Sequence, residues 1–164
     1  MRRSAVGSKR QTLSTTFESF PEVDLPDNNV LINAIRRESR HHRVAKAWLE
    51  EALNQGRPIR LFPTVEGGFL RVVTNPKIYS RPTPFEEAWL FLETMCSAPS
   101  VEIAPWTEAV RNRWAQLCLR LKLQGSDCND AMLAALALEK GFRLVTFDQG
   151  FRRFPELRLL ILEN

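Results

Sequence analysis

An α/β domain with a mainly parallel central sheet is what this sequence predicts, on three observations. From Val23 onward, short apolar strand-like runs alternate with segments of helical periodicity, the pattern of βαβ units. Cap and stop residues fall between those segments, so the alternation is punctuated as a folded domain requires. Four carboxylates, Asp27, Glu66, Asp130 and Asp148, each sit where an apolar segment begins or ends. Open α/β sheets gather ligands outside the carboxyl ends of their strands, which is where such positions lie.

The elements follow in order. A short apolar run ends at Asp27 and is the first strand; Val30, Leu31, Ile32, Ala34 and Ile35 then mark a short buried helix. Val44, Ala45, Trp48, Leu49, Ala52 and Leu53 repeat at helical spacing and stop near Asn54 and Gly56. Ile59 to Phe62 reads as a second strand. Thr64 is placed to cap the next helix, which carries Phe69, Val72 and Val73 and breaks at Asn75-Pro76. Thr83-Pro84-Phe85-Glu86 has the form of a capping box with proline at the first helical position, predicting a helix over 84–98. Val101 to Ile103 is a third strand, and Val110, Trp114, Leu117, Cys118 and Leu121 mark an amphipathic helix. Asn129 is placed to cap a helix over 130–140 that Gly141 closes. Arg143 to Phe147 and Leu159 to Leu162 complete the strands. No internal repeat and no second domain are evident.

Composition narrows the class. A chain of 164 residues with 44% hydrophobic residues suffices for one domain and a tail. The formal charge of +4 is concentrated in residues 1–20, which carry +3, so the body is nearly neutral and nucleic-acid contact must use a local patch. Residues 1–21 are basic, rich in Ser and Thr and non-periodic, which reads as a disordered tail or an over-long gene start; residues 22–164 form the domain. That start has no hydrophobic stretch of a secretory signal, and no run of 18 apolar residues crosses a membrane. Cys96, Cys118 and Cys128 are an odd number without CxxC spacing, which argues against disulfides or zinc and for a reducing, cytoplasmic setting.

The acids carry the chemistry. Unpaired carboxylates crowded together repel by roughly 4 kcal/mol per pair at ~4 Å and an effective dielectric of ~20, so such a cluster implies a bound cation. Oxygen-only ligation points to Mg²⁺ or Mn²⁺. Metal held by Asp27, Asp130 and Asp148, with Glu66 direct or through water, suits in-line hydrolysis of a phosphodiester, with no serine, cysteine or histidine needed as nucleophile.

Four blocks, LPDNNVLINAI, TVEGGFLRVVTNP, NDAMLAALALEKG and LVTFDQGFRRFP, resemble in order the signature blocks of PIN-domain ribonucleases, specifically the VapC toxins of type II toxin–antitoxin pairs. The resemblance spans about residues 23–164. It implies a three-layer α/β/α fold, with Asp27, Glu66, Asp130 and Asp148 as the metal-binding catalytic acids and Asn29 and Thr146 as supporting residues. It further implies RNA as substrate and a cognate VapB-like antitoxin that offers an arginine to the acids. The apolar helices carrying Trp48, Phe69 and Trp89 offer more hydrophobic surface than a small sheet covers, which predicts a groove for an antitoxin helix and a symmetric homodimer. Departures are Gly67, where Asn is expected, a fifth acid at Asp127, and a tail without counterpart. The neighbouring Gly67 and Gly68 weaken the start of their helix by roughly 0.5–1 kcal/mol each.

Each residue also has a plainer reading. Asp27 can serve only as a helix cap, Asp130 as a partner of a helix dipole, Glu66 as a solvated side chain and Asp148 as a turn residue. Asp127 reads as a loop residue. His41-His42 reads as a solvated pair and the four tryptophans as core or interface, whereas Arg36, Arg37 and Arg71 are candidate phosphate contacts with surface arginine as the default. A phosphoryl-aspartate enzyme is disfavoured: the dehalogenase type wants Asp where Asn29 stands, and a receiver wants a lysine after the late strand. The alternative in another class is a catalytically inactive PIN module that binds RNA or a protein partner.

Overall fold

The computed structural model describes residues 22–163; the expected tail lies outside them. Five short parallel strands form one sheet: β1 Asp24–Pro26, β2 Ile59–Leu61, β3 Val101–Ile103, β4 Arg143–Thr146 and β5 Leu159–Ile161. Their order is β3-β2-β1-β4-β5, every pairing parallel. The chain builds outward from β1 through β2 to β3, then returns to β1's other side with β4. That reversal places the switch point of the sheet between β1 and β4, where the carboxyl ends of two adjacent strands open a crevice.

Helices cover the sheet as α/β/α layers. α1 Asn28–Ile35 and α2 His42–Asn54 join β1 to β2; α3 Pro63–Val73 and α4 Phe85–Cys96 join β2 to β3; α5 Glu108–Leu121 and α6 Asp127–Lys140 join β3 to β4. A short 3₁₀ helix, Gln149–Arg153, leads into β5. α6 buries Ala131, Leu133, Ala134, Ala135, Leu136 and Ala137. Small alanines around most of its circumference let it pack closely between α5 and the sheet.

Several helix starts differ from the sequence expectation. α3 begins at Pro63 after Phe62, so Thr64 lies inside the helix rather than capping it. α4 begins at Phe85, with Pro84 in the cap position and no side-chain capping bond. The Thr83 hydroxyl instead accepts from Arg36 Nη1 at 3.1 Å, a tertiary partner that displaces the expected box. α6 begins at Asp127, three residues early, which puts Asp127 in the first turn with Asp130. Gly141 closes α6 in the left-handed region at φ 69°, as expected.

One buried charge holds the sheet from the far end of β1. Asp24 is fully buried and accepts two bonds from Arg143, at 2.8 and 3.0 Å. Arg57 stands 3.7 Å away. Because Arg143 is the first residue of β4, this bidentate pair sets β4 beside β1. Among the described residues no helix is long and apolar enough to cross a membrane.

Candidate active site

Asp27 follows β1 directly, and its backbone N–H bonds the Val145 carbonyl of β4 at 2.8 Å. It caps α1: its Oδ1 accepts from the Asn28 N–H at 2.6 Å. The cap is only half of its role. Its Oδ2 accepts from Asn29 Nδ2 at 2.6 Å and from the Thr146 hydroxyl at 2.8 Å. Thr146 is fully buried on β4, and its oxygen in turn accepts from Asn29 Nδ2 at 3.0 Å and the Asp148 N–H at 3.0 Å. Asn29 Oδ1 takes the Phe147 N–H at 3.2 Å. Asn29 and Thr146 thus lock the Asp27 carboxylate and tie it to the loop carrying Asp148.

Asp148 heads the 3₁₀ helix, accepting from the Gly150 N–H at 2.7 Å. A Cβ at Gly150 would lie 2.9 Å from Asp148 Oδ1 and would push that carboxylate from its place. Asp130 projects from the first turn of α6. Burial pushes the Asp27 carboxyl up to about 6, opposed by its hydrogen bonds and reinforced by the negative charges of Asp130 and Asp148. Burial likewise raises Asp130, with Asp148 and Asp127 adding to it and Arg153 opposing. Three of the four expected acids therefore feel one another at the β1–β4 switch point.

Glu66 does not join them in the same way. The cleft, about 270 Å³, is lined on the α3 side by Thr64, Gly67, Gly68 and Arg71, and on the others by Asp27 and Asp130. At about 100° per residue, Glu66 lies roughly opposite Thr64 around α3. Burial raises its carboxyl; burial also raises the Cys96 thiol at the end of α4, and the Glu66 charge adds to it. The helix start at Pro63 turns Glu66 toward α4 and Gly67 and Gly68 toward the cleft. Gly68 has a steric reason to be glycine, since a Cβ there would meet Asn28 Nδ2 at 2.6 Å; Gly67 has open space.

The candidate arginines separate. Arg71 is exposed and lines the cleft. Arg37 is exposed but lines a groove between α1, α2 and α4. Arg36 corrects the phosphate-contact expectation: it is buried, donates to Thr83, the Arg81 carbonyl and Glu38, and lies 3.6 Å from the centre of the Tyr79 ring. A guanidinium so enclosed braces the loop before α4. The histidines are not a solvated pair either. His41 stacks on Phe147 with ring centres 4.6 Å apart, and His42 Nδ1 lies 3.0 Å from the Asn33 carbonyl.

Sequence reasoning missed Arg153. Its Nη2 donates to Asp130 Oδ2 at 2.6 Å and its Nη1 lies 3.2 Å from Asp127 Oδ1. Asp127 is thus part of the cluster and not a loop residue. The available signal was the Arg-Arg pair just past the Asp148 turn, facing a cluster with one acid more than the pattern needs.

The donors fit a hard divalent cation by their chemistry: carboxylate oxygens, mutually repelling, with one carboxyl raised by burial to about 6. As the side chains lie, no three acidic, imidazole or thiol groups among the described residues meet around one point. Asp130 is turned instead to Arg153.

Comparison with known proteins agrees with this fold. A family model of the PIN domain matches residues 25–157. The VapC ribonuclease Mb2897 of Mycobacterium bovis is 36% identical over 132 residues, covering 80% of this chain and 90% of its own. Ribonuclease VapC31 of Mycobacterium tuberculosis is 32% identical over 136 residues, covering 82% and 94%. In fold, the chain is similar to VapBC2 of Rickettsia felis bound to promoter DNA, with a TM-score of 0.66, 20% identity and coverage of 86% and 99%. It is also similar to M. tuberculosis VapC20, a sarcin-ricin loop cleaving toxin, with a TM-score of 0.60, 17% identity and coverage of 82% and 98%. With its sheet order, its acids at the switch point and these relatives in agreement, the chain belongs to the PIN-domain family, among the VapC ribonucleases.

Proposed function

We propose that this chain is a divalent-metal-dependent ribonuclease, the toxin of a VapBC-type toxin–antitoxin pair. The observation that supports the reading is the electrostatic coupling of Asp27 to Asp130 and Asp148 beside the β1–β4 switch point, where burial, reinforced by these two charges, raises Asp27 to about 6. These three side chains would hold Mg²⁺ or Mn²⁺, with Glu66 contributing at most through water from its place on α3. An ion held there would supply charge neutralisation at the scissile phosphate and a more acidic water for in-line attack. Asn29, Thr146 and the Asn28 N–H hold Asp27 in one orientation, so no rotamer freedom is lost when the site is loaded. Arg71 on the cleft wall supplies a positive charge for an RNA phosphate.

The solved relatives include VapB–VapC complexes, and a VapB-like antitoxin is the proposed partner. The groove of about 430 Å³ between α1, α2 and α4 presents Ile35, Leu49, Leu53, Leu90, Phe91 and Met95, which suits an amphipathic antitoxin helix. Of the residues expected to expose an apolar surface, Trp48 and Phe69 are buried in the core, whereas Trp89 is 43% exposed and stacks on Phe85. Phe85, Trp89 and Ile78 remain for a homodimer contact.

The test is cleavage of synthetic hairpin and single-stranded RNA by purified protein, with Mg²⁺ or Mn²⁺ or with EDTA. Cleavage that needs metal and vanishes in a folded Asp27→Asn variant is expected. Metal-independent cleavage, or full activity in Asp27→Asn, defeats the mechanism; tight RNA binding without cleavage in any metal would mark an inactive binding module.

A further inference from the structure

Arg153 ends the 3₁₀ helix that Asp148 begins, so the chain itself delivers a cation to its acidic cluster. The guanidinium bridges two carboxylates one helical turn apart on α6: Asp130 at 2.6 Å and Asp127 at 3.2 Å. Residues at i and i+3 share a helix face, and a planar fork that never loses its charge can bridge them. The guanidinium carbon lies 5.1 Å from the centre of the Phe154 ring, and Nε is buried without a partner. Packing thus confines the side chain to the vicinity of these acids. The oxygen that Arg153 holds, Asp130 Oδ2, belongs to a carboxylate that a divalent ion would also need.

We propose that Arg153 is a tethered counter-cation that competes with the divalent metal for Asp130, so that the ion gains this ligand only as the guanidinium lets it go. The inference rests on the metal-dependent reading of the site. Two cations that share one ligand weaken each other reciprocally, so removing one must strengthen the binding of the other. A purely supporting role for Arg153 predicts the opposite sign, because a loosened Asp130 would bind metal less well.

The experiment is calorimetric titration of Mn²⁺ into the full-length protein, comparing wild type with Arg153→Gln, Arg153→Lys and Arg152→Gln. Arg152→Gln is the charge control: Arg152 sits on the same 3₁₀ helix and donates to Gln149 at 2.6 Å. Arg153→Gln is expected to bind Mn²⁺ about tenfold tighter. Arg153→Lys, whose single ammonium cannot fork between two carboxylates, is expected in between, and it keeps the test open should Arg153→Gln fail to fold. Unchanged or weaker affinity in both Arg153 variants overturns the proposal, as does an equal gain in Arg152→Gln. If wild type and variants alike bind no Mn²⁺, the metal reading falls and the proposal with it; if all bind equally, the proposal alone falls.

Discussion

The Thr146 hydroxyl donates to Asp27 Oδ2 at 2.8 Å, joining residues 119 apart in sequence across the seam between β1 and β4. The same oxygen accepts from Asn29 and from the Asp148 backbone, so one buried hydroxyl aligns two acids. Thr146→Val keeps the shape and removes every one of these bonds. We expect a stability loss of about 1–3 kcal/mol from the groups left unpaired. RNA cleavage should fall about tenfold or more, as for other residues that orient metal ligands. Thr146→Ser should retain most of both. Urea unfolding and single-turnover cleavage measure the two effects.

Metal-free stability should fall as pH rises. The folded state holds the Asp27 proton up to about 6, against 3.8 for an unperturbed carboxyl. Relative stabilisation is therefore complete below pH 3.8 and is lost as pH climbs through 6, a swing of about 3 kcal/mol at 1.36 kcal/mol per unit. Burial shifts Asp130 and Glu66 the same way. Urea unfolding in EDTA should give lower stability at pH 7.5 than at pH 5, with a smaller slope in Asp27→Asn. Mn²⁺ affinity should weaken below pH 6 because the proton competes for the same oxygens.

Asp24 and Asp27 stand three residues apart and should respond oppositely to loss of charge. Asp24→Asn breaks a buried pair with Arg143 and should destabilise by about 3 kcal/mol without a comparable change in Mn²⁺ affinity. Asp27→Asn should abolish Mn²⁺ binding with a far smaller stability cost. Equal effects of both variants on metal affinity would contradict the division of labour between the two ends of β1.

Gly67→Ala should stabilise the metal-free protein by about 0.5–1 kcal/mol, since it removes a helix-interior glycine and its Cβ meets open space. Gly68→Ala should gain less or nothing, because the same atom would force Asn28 aside at the cap of α1. A thermal-unfolding comparison of the two variants decides it.

What the sequence by itself determined is local. Apolar spacing together with cap and stop residues located the five strands and six helices of the described residues, because such signals are properties of each segment alone. The cap at Asp27, the stop at Gly141 and the turn at Asp148 were legible for the same reason. Family resemblance added Asn29 and Thr146 as supporting residues, and both hydrogen-bond the Asp27 carboxylate.

Only the tertiary structure decided which side chains meet. The return of β4 to β1 brings Asp27 beside Asp148, and nothing in either segment specifies that neighbour. A helix start is uncertain by a residue or two from sequence, and each residue turns the face by about 100°, which is why the aim of Glu66 was beyond reach. Nothing local in the sequence encloses Arg36; packing against Tyr79 and Thr83 does so in the folded domain. Arg153 lies 23 residues from Asp130 in sequence, and their ion pair exists only because the 3₁₀ helix folds back over the start of α6. Charge pairs and orientations of this kind depend on distances between segments, and those are set by packing rather than by any local pattern.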